Sequence, residues 1–334
     1  MSDHIYVEQS IRTHPRTQRI LAKFAGAAVI DIERYGEVFN RKNQNFRLQK
    51  KKPALIVARK HAGHVLATPP GYGIGGRHNY YFSHLLNCLY DCRYCFLQGM
   101  YRSAHYVLFV NYDDFVGAID DVLARHDQDP VYFFSGYDCD SLALESITGF
   151  ADYILPVIRA RPRAWLELRT KSIQSRPLLD VEPCERVVVA FSLTPSHMAA
   201  AVEHGAPSVE RRIELMSKLA HHGWPIGLRF DPLLTGVDWR AQYDALFDAV
   251  FARVPAARIH SVSYGPLRFP KAMYRDIIKL YPESPLFAEE MTVDAGMASY
   301  PETLENEMAD YCHERLQRYV PESVFFQCTP ESAK

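Results

Sequence analysis

Three of the seven cysteines stand close together, as Cys88, Cys92 and Cys95, in the run Asn87 to Phe96. The spacing is Cys-x3-Cys-x2-Cys, with Tyr94 and Phe96 flanking the third cysteine. Three thiolates can hold three irons of a cubic 4Fe–4S cluster, and the fourth iron then stays open to a ligand. Such a cluster is a reagent as well as an electron store. Zinc would ask for paired cysteines plus a second pair of Cys or His further along the chain. There is no second Cys-x2-Cys: Cys139, Cys184, Cys312 and Cys328 are scattered singly. His84, just ahead of the run, is the nearby residue that would complete a zinc tetrahedron. The expectation is iron–sulfur. The cysteine count is odd and 334 residues can bury an adequate core, so a disulfide framework is not expected.

The same spacing is the signature of enzymes that use S-adenosylmethionine (SAM) as a radical source, where the open iron chelates the amino and carboxylate groups of SAM. That chemistry needs a frame. Strand candidates are residues 79–86, 131–135, 165–170, 187–193, 226–230 and 259–264, short and rich in β-branched and aromatic side chains. Amphipathic stretches alternate with them at 113–126, 141–160, 208–222 and 239–254. Six βα units with right-handed crossovers predict an α/β fold, a partial (β/α)6 TIM-like barrel of the radical SAM type with N- and C-terminal extensions. The expected divisions are 1–78, 79–284 and 285–334, the last with a helix over 304–318.

In such barrels the chemistry gathers at the C-terminal ends of the strands. The cysteine run follows the first candidate strand. Tyr137, Cys139 and Asp140 follow the second, Arg169 and Lys171 the third, Ser192 and Thr194 the fourth, Arg229 and Asp231 the fifth. Lys171 or Arg169 can pair with the SAM carboxylate, and Ser192 can hydrogen-bond near it.

Composition fits a cytoplasmic enzyme: 48% hydrophobic, 23% charged and a net charge of −1. No basic leader with an apolar core and no membrane-length apolar run is visible. Free thiols and an oxygen-sensitive cluster call for a reducing compartment. Net charge gives no global pull toward nucleic acid, so any affinity must be local. One stretch qualifies. From Arg41 to Lys60 there are eight cations and no acidic residue, which reads either as a solvated basic face or as a phosphate-tracking patch. Pro69 to Gly76 is a loop, not a dinucleotide fingerprint, because no strand-to-helix pattern frames it.

The wording around the cysteines goes further than spacing. Cys88-Leu-Tyr-Asp-Cys92-Arg-Tyr94-Cys95-Phe96-Leu97-Gln98 resembles the spore photoproduct lyase family. So do Asp140 through Thr148, Thr170-Lys171, Phe191-Ser192, Ala206-Pro207-Ser208 with Arg211-Arg212-Ile213, and His222 through Gly227. The resemblance implies a single-cluster SAM enzyme that reverses a covalent thymine dimer in DNA, with DNA and a reductant such as flavodoxin or ferredoxin as partners. It implies SAM cleavage to methionine and a 5′-deoxyadenosyl radical, hydrogen abstraction from the lesion, and quenching of the product radical by a cysteine. Cys88, Cys92 and Cys95 would carry the cluster, Lys171 and Ser192 would contact SAM, and Tyr94 would be a relay and lesion-site residue. Arg229, Asp231 and Phe96 join the expected cofactor contacts.

Three departures stand out. Tyr137 occupies the place of the family's donor cysteine, and Cys139 lies two residues on; in an extended segment both point to the same side, so Cys139 is the expected donor. Phe96 replaces a tyrosine. The family's Arg-Tyr-Gly lesion-gripping segment has no clear match in Met291 to Tyr300. These departures keep open another nucleic-acid lesion or a small molecule as substrate.

Overall fold

The computed structural model describes residues 3–126 and 128–326; Cys328 lies outside them. Six parallel strands run side by side in chain order: β1 (His78–Phe82), β2 (Val131–Ser135), β3 (Ala164–Thr170), β4 (Val187–Ser192), β5 (Ile226–Leu233) and β6 (Ile259–Pro266). This is the expected open six-strand α/β arrangement, with Leu66–Ala67 added antiparallel at the β1 edge. β4 reads Val-Val-Val-Ala-Phe-Ser and is buried throughout, as a strand covered on both faces must be.

The helices follow the apolar spacing. Tyr112–Arg125 buries Phe115, Ile119, Val122 and Leu123 on one stripe. Val209–His222 begins where the Ser208 side chain accepts from the Arg211 backbone N–H. The expected helix over 141–160 is two helices, Glu145–Thr148 and Phe150–Arg159, because Gly149 ends the first in a left-handed conformation at φ +56°. The C-terminal helix is Glu302–Leu316.

Two further differences matter for the site. The stretch 79–86, expected as one strand, divides at Ser83-His84. Its first part is β1; Leu85–Leu86 pairs in a different sheet. The residues ahead of the barrel are not merely a basic region. His4–Glu8, Ala28–Ile32 and Leu55–Ala58 form a parallel sheet with Tyr106–Phe109, and Leu85–Leu86 completes it. This sheet has its own core, built around Ile5, Val7, Leu55, Val57 and Leu108. Among the described residues no helix is long and apolar enough to cross a membrane.

Candidate active site

The cysteine run is held in place from several directions. Asn87, at φ +68°, donates to the carbonyls of Ser103 and His105 at 2.7 Å each. Lys50 reaches in and donates to the carbonyls of Cys88 and Tyr90, at 3.0 and 3.1 Å. Asp91–Cys92 pairs antiparallel with Glu203–His204. Tyr281 donates to Gln98 at 2.8 Å, and the Arg93 guanidinium lies 3.9 Å from the Tyr281 ring centre.

All three thiols border one cavity of about 350 Å³ at the C-terminal ends of the barrel strands. Burial pushes their pKa values up, that of Cys88 to about 12. A metal must therefore displace their protons, as it does in any thiolate site. Among the described residues no group of three or more His, Cys, Asp or Glu is gathered closely enough to hold a single metal ion. Three thiols bordering one cavity fit a cube that gives each sulfur its own iron. His84 is no fourth ligand. It is buried against Phe150, ring centres 3.8 Å apart, and burial drops its pKa to about 3.

The strand-end residues meet at the same cavity. Lys171, Ser192, Asp231, Tyr94, Phe96, and Tyr137 with Cys139 all border it. Lys171 is placed by Asp140, whose carboxylate accepts from the Lys171 backbone N–H and the Thr170 hydroxyl, both at 2.6 Å. Burial works against the Lys171 charge, yet Cys92 and Glu203 hold its pKa above the ordinary value. Asp231 has its pKa raised by burial, against the pull of Arg169, Arg268 and Lys171. Gly136 makes the turn after β2 at φ +88°; a Cβ there would sit 2.6 Å from the Ser141 Oγ.

One expected residue is displaced. Arg229 does not border the cavity. It is fully buried in the barrel, where it donates to Glu167 at 2.7 Å and to the Ser261 hydroxyl at 2.8 Å. β5 turns its side chain inward below the rim. Glu167 also accepts from Arg169 at 3.2 Å, and Arg169 does border the cavity. Arg229 thus acts through Glu167 to position Arg169.

Cys139 borders the cavity, but its side chain also packs in the N-terminal core with Leu85 and Leu144, and its sulfur takes a hydrogen bond from the Leu85 N–H. Tyr137 stacks on Tyr81, centroids 4.3 Å apart, and lies 5.9 Å from Phe96. Together with Tyr72 these rings make an aromatic wall.

Sequence reasoning missed Glu203. It is buried, it pairs with the buried Arg212, and it accepts the Tyr94 hydroxyl. Arg212 also donates to the Ser192 carbonyl at 3.0 Å. This network ties the cysteine run, Tyr94 and the end of β4 into one unit. A single glutamate after an alanine-rich helix carries no periodic signal that would announce it.

The spore photoproduct lyase family model matches residues 1–327. The chain belongs to the spore photoproduct lyase family. A spore photoproduct lyase of Bacillus subtilis (strain 168) is 22% identical over 293 residues, covering 86% of this chain and 84% of the relative. One of Geobacillus sp. (strain Y412MC61) is 23% identical over 206 residues, covering 61% and 60%. A solved spore photoproduct lyase mutant with bound AdoMet and dinucleoside spore photoproduct superposes with a TM-score of 0.83 at 18% identity, covering 98% of both chains. A solved structure of the lyase complexed with dinucleoside spore photoproduct gives 0.82 at 17% identity, again over 98% of both. The family's fold is thus kept from end to end at low identity.

Proposed function

We propose that this chain is a radical SAM lyase that reverses the spore photoproduct in DNA. The observation that carries the reading is the single cavity where three cluster-spaced thiols, a half-buried lysine and an aromatic wall meet. Cys88, Cys92 and Cys95 would hold the 4Fe–4S cluster. When bound, cluster and SAM supply a 5′-deoxyadenosyl radical. Lys171 and Ser192 hold the SAM carboxylate by charge-assisted hydrogen bonds, and Asp231 receives its amino group or ribose. Tyr72, Tyr137 and Phe96, with Tyr81 stacked behind Tyr137, offer faces on which a flipped-out base can stack.

Hydrogen return to the product radical falls to Tyr137. Both Tyr137 and Cys139 border the cavity, but the Cys139 sulfur already accepts the Leu85 N–H and packs in the N-terminal core. The phenolic O–H breaks, a C–H forms on the product and a phenoxyl remains. One proton and one electron restore it, the electron coming from the one-electron donor that reduces the cluster. A second reading, another lesion on the same chemistry, is favoured by Tyr137 in place of a thiol and by the hairpin of Thr292–Asp294 and Met297–Ser299, whose tip is only Ala295-Gly296.

The test is anaerobic reconstitution followed by incubation with SAM, reductant and dinucleotide spore photoproduct. The proposal expects a 4Fe–4S spectrum, 5′-deoxyadenosine and restored thymines. SAM cleavage with the lesion left intact would favour the second reading. Zinc at the three cysteines would overturn both.

A further inference from the structure

A second cavity, of about 650 Å³, lies on the other side of the loop after β2. Tyr137 and Cys139 border the first cavity, and Asp138 between them borders this one. It sits at the C-terminal ends of the parallel strands Ala28–Ile32 and Leu55–Ala58, the edge where open α/β sheets take ligands. Arg34 follows the first strand; Lys60 and His61 follow the second. All three line the cavity, and its aromatic wall is the half-buried Tyr35 and Tyr101, backed by the buried Phe39 and Phe109.

These loops are held from beneath. Glu8, fully buried at the end of its strand, accepts from the backbone N–H groups of Tyr35 and Arg59, at 2.8 and 3.0 Å. Asn111 exchanges two hydrogen bonds with the Lys60 backbone, both at 2.9 Å. Two buried polar side chains thus fix the loops that carry the cations. The Lys60 Nζ lies 5.2 Å from the Phe109 ring centre. Burial depresses its pKa, and Asp138 offsets this only in part, so a bound anion would relieve it. Arg34 donates to His61 Nδ1 at 2.8 Å, and His61 Nε2 lies 3.5 Å from the Glu8 carboxylate, so Arg34, which keeps further N–H groups, and Lys60 are the cations offered to an anion. At the other end the Asp138 carboxylate takes the Ser83 hydroxyl at 2.6 Å and the Tyr101 hydroxyl. A carboxylate has further lone pairs for a ligand N–H.

We infer that this cavity is a nucleotide subsite, with a phosphate at Arg34 and Lys60, a nucleobase against Tyr35 and Tyr101, and Asp138 accepting a base N–H. A bare anion would leave the half-buried rings of Tyr35 and Tyr101 uncovered, and an apolar ligand would have no use for the cations. Only the source of the nucleotide, free or part of the strand flanking a lesion, rests on the repair reading.

The test is calorimetric titration of the full-length reconstituted protein with thymidine 5′-monophosphate, with thymidine as the phosphate-free control. The monophosphate should bind at least about tenfold tighter than thymidine, and Arg34→Ala and Lys60→Gln should each weaken it at least about tenfold, the scale of one charge-assisted hydrogen bond. Arg34 is exposed, so its replacement leaves the core intact; thermal unfolding checks both variants. An oligothymidylate that displaces the monophosphate assigns the site to the DNA strand, and failure to displace assigns it to free nucleotide; either supports the inference. No binding, equal binding of thymidine, or binding that both variants leave unchanged overturns it. Lesion repair is measured separately, so neither result depends on the other.

Discussion

Lys171 shows how much one half-buried side chain carries here. It lies in the cavity with its ammonium 5.3 Å from the Tyr94 ring centre, and its charge is maintained by Cys92 and Glu203 against burial. Replacing it, as Lys171→Met, should weaken SAM binding by roughly ten- to a hundredfold, the loss of one charged hydrogen bond, while iron content stays near that of the parent. Equilibrium dialysis with labelled SAM reads this. Tyr137 and Cys139 separate in a paired experiment: Tyr137→Phe should lower thymine yield while 5′-deoxyadenosine still forms, and Cys139→Ala should change yield less. The reverse order would return the donor role to Cys139. His84 makes a pH prediction. Its folded pKa, about 3, is below the ordinary 6.5, so the unfolded chain binds more protons between those values and stability falls as pH drops below about 6.5. Glu145, raised to about 7 by burial, acts oppositely as pH rises above 4.5. His84→Phe keeps the ring stack on Phe150 and should flatten the acid limb of urea midpoint against pH. An unchanged limb would mean that His84 is not buried neutral.

At the scale of elements, the loop after β2 is the joint between the two cavities. Gly136 turns it where no Cβ fits. Gly136→Ala should therefore destabilise the fold by about 2 kcal/mol or more and weaken SAM binding with it, because Asp140 on the same loop places Lys171. Urea unfolding and dialysis measure the two effects. The strands and most helices were legible because apolar period and β-branched runs reflect burial directly. The breaks were less so. Gly149 divides a helix whose apolar pattern runs straight through it, and Ser83-His84 divides a strand between two sheets that no local pattern distinguishes.

For the whole molecule, the legible part of the site was the part written in local sequence. Cysteine spacing and strand-end positions brought Cys88, Cys92, Cys95, Lys171, Ser192 and Asp231 to one cavity. Long-range partners were not legible. Glu203 reaches Tyr94, 109 residues earlier in the chain, only once the barrel has formed. The Arg41 to Lys60 stretch lacks local acids, yet Lys52 meets Asp3, Arg59 meets Asp114 and Arg47 meets Glu283. Lys50 turns inward to the cysteine run. Much of that basic stretch is therefore engaged with the rest of the chain, and of its cations Lys60 alone borders the second cavity.

The most direct measurement is repair carried out in deuterium oxide, with products read by mass spectrometry. The phenol of Tyr137 exchanges its proton with solvent, so the account predicts that dinucleotide spore photoproduct is converted to thymines carrying one deuterium. Lesion recovered unchanged while SAM is consumed would contradict it.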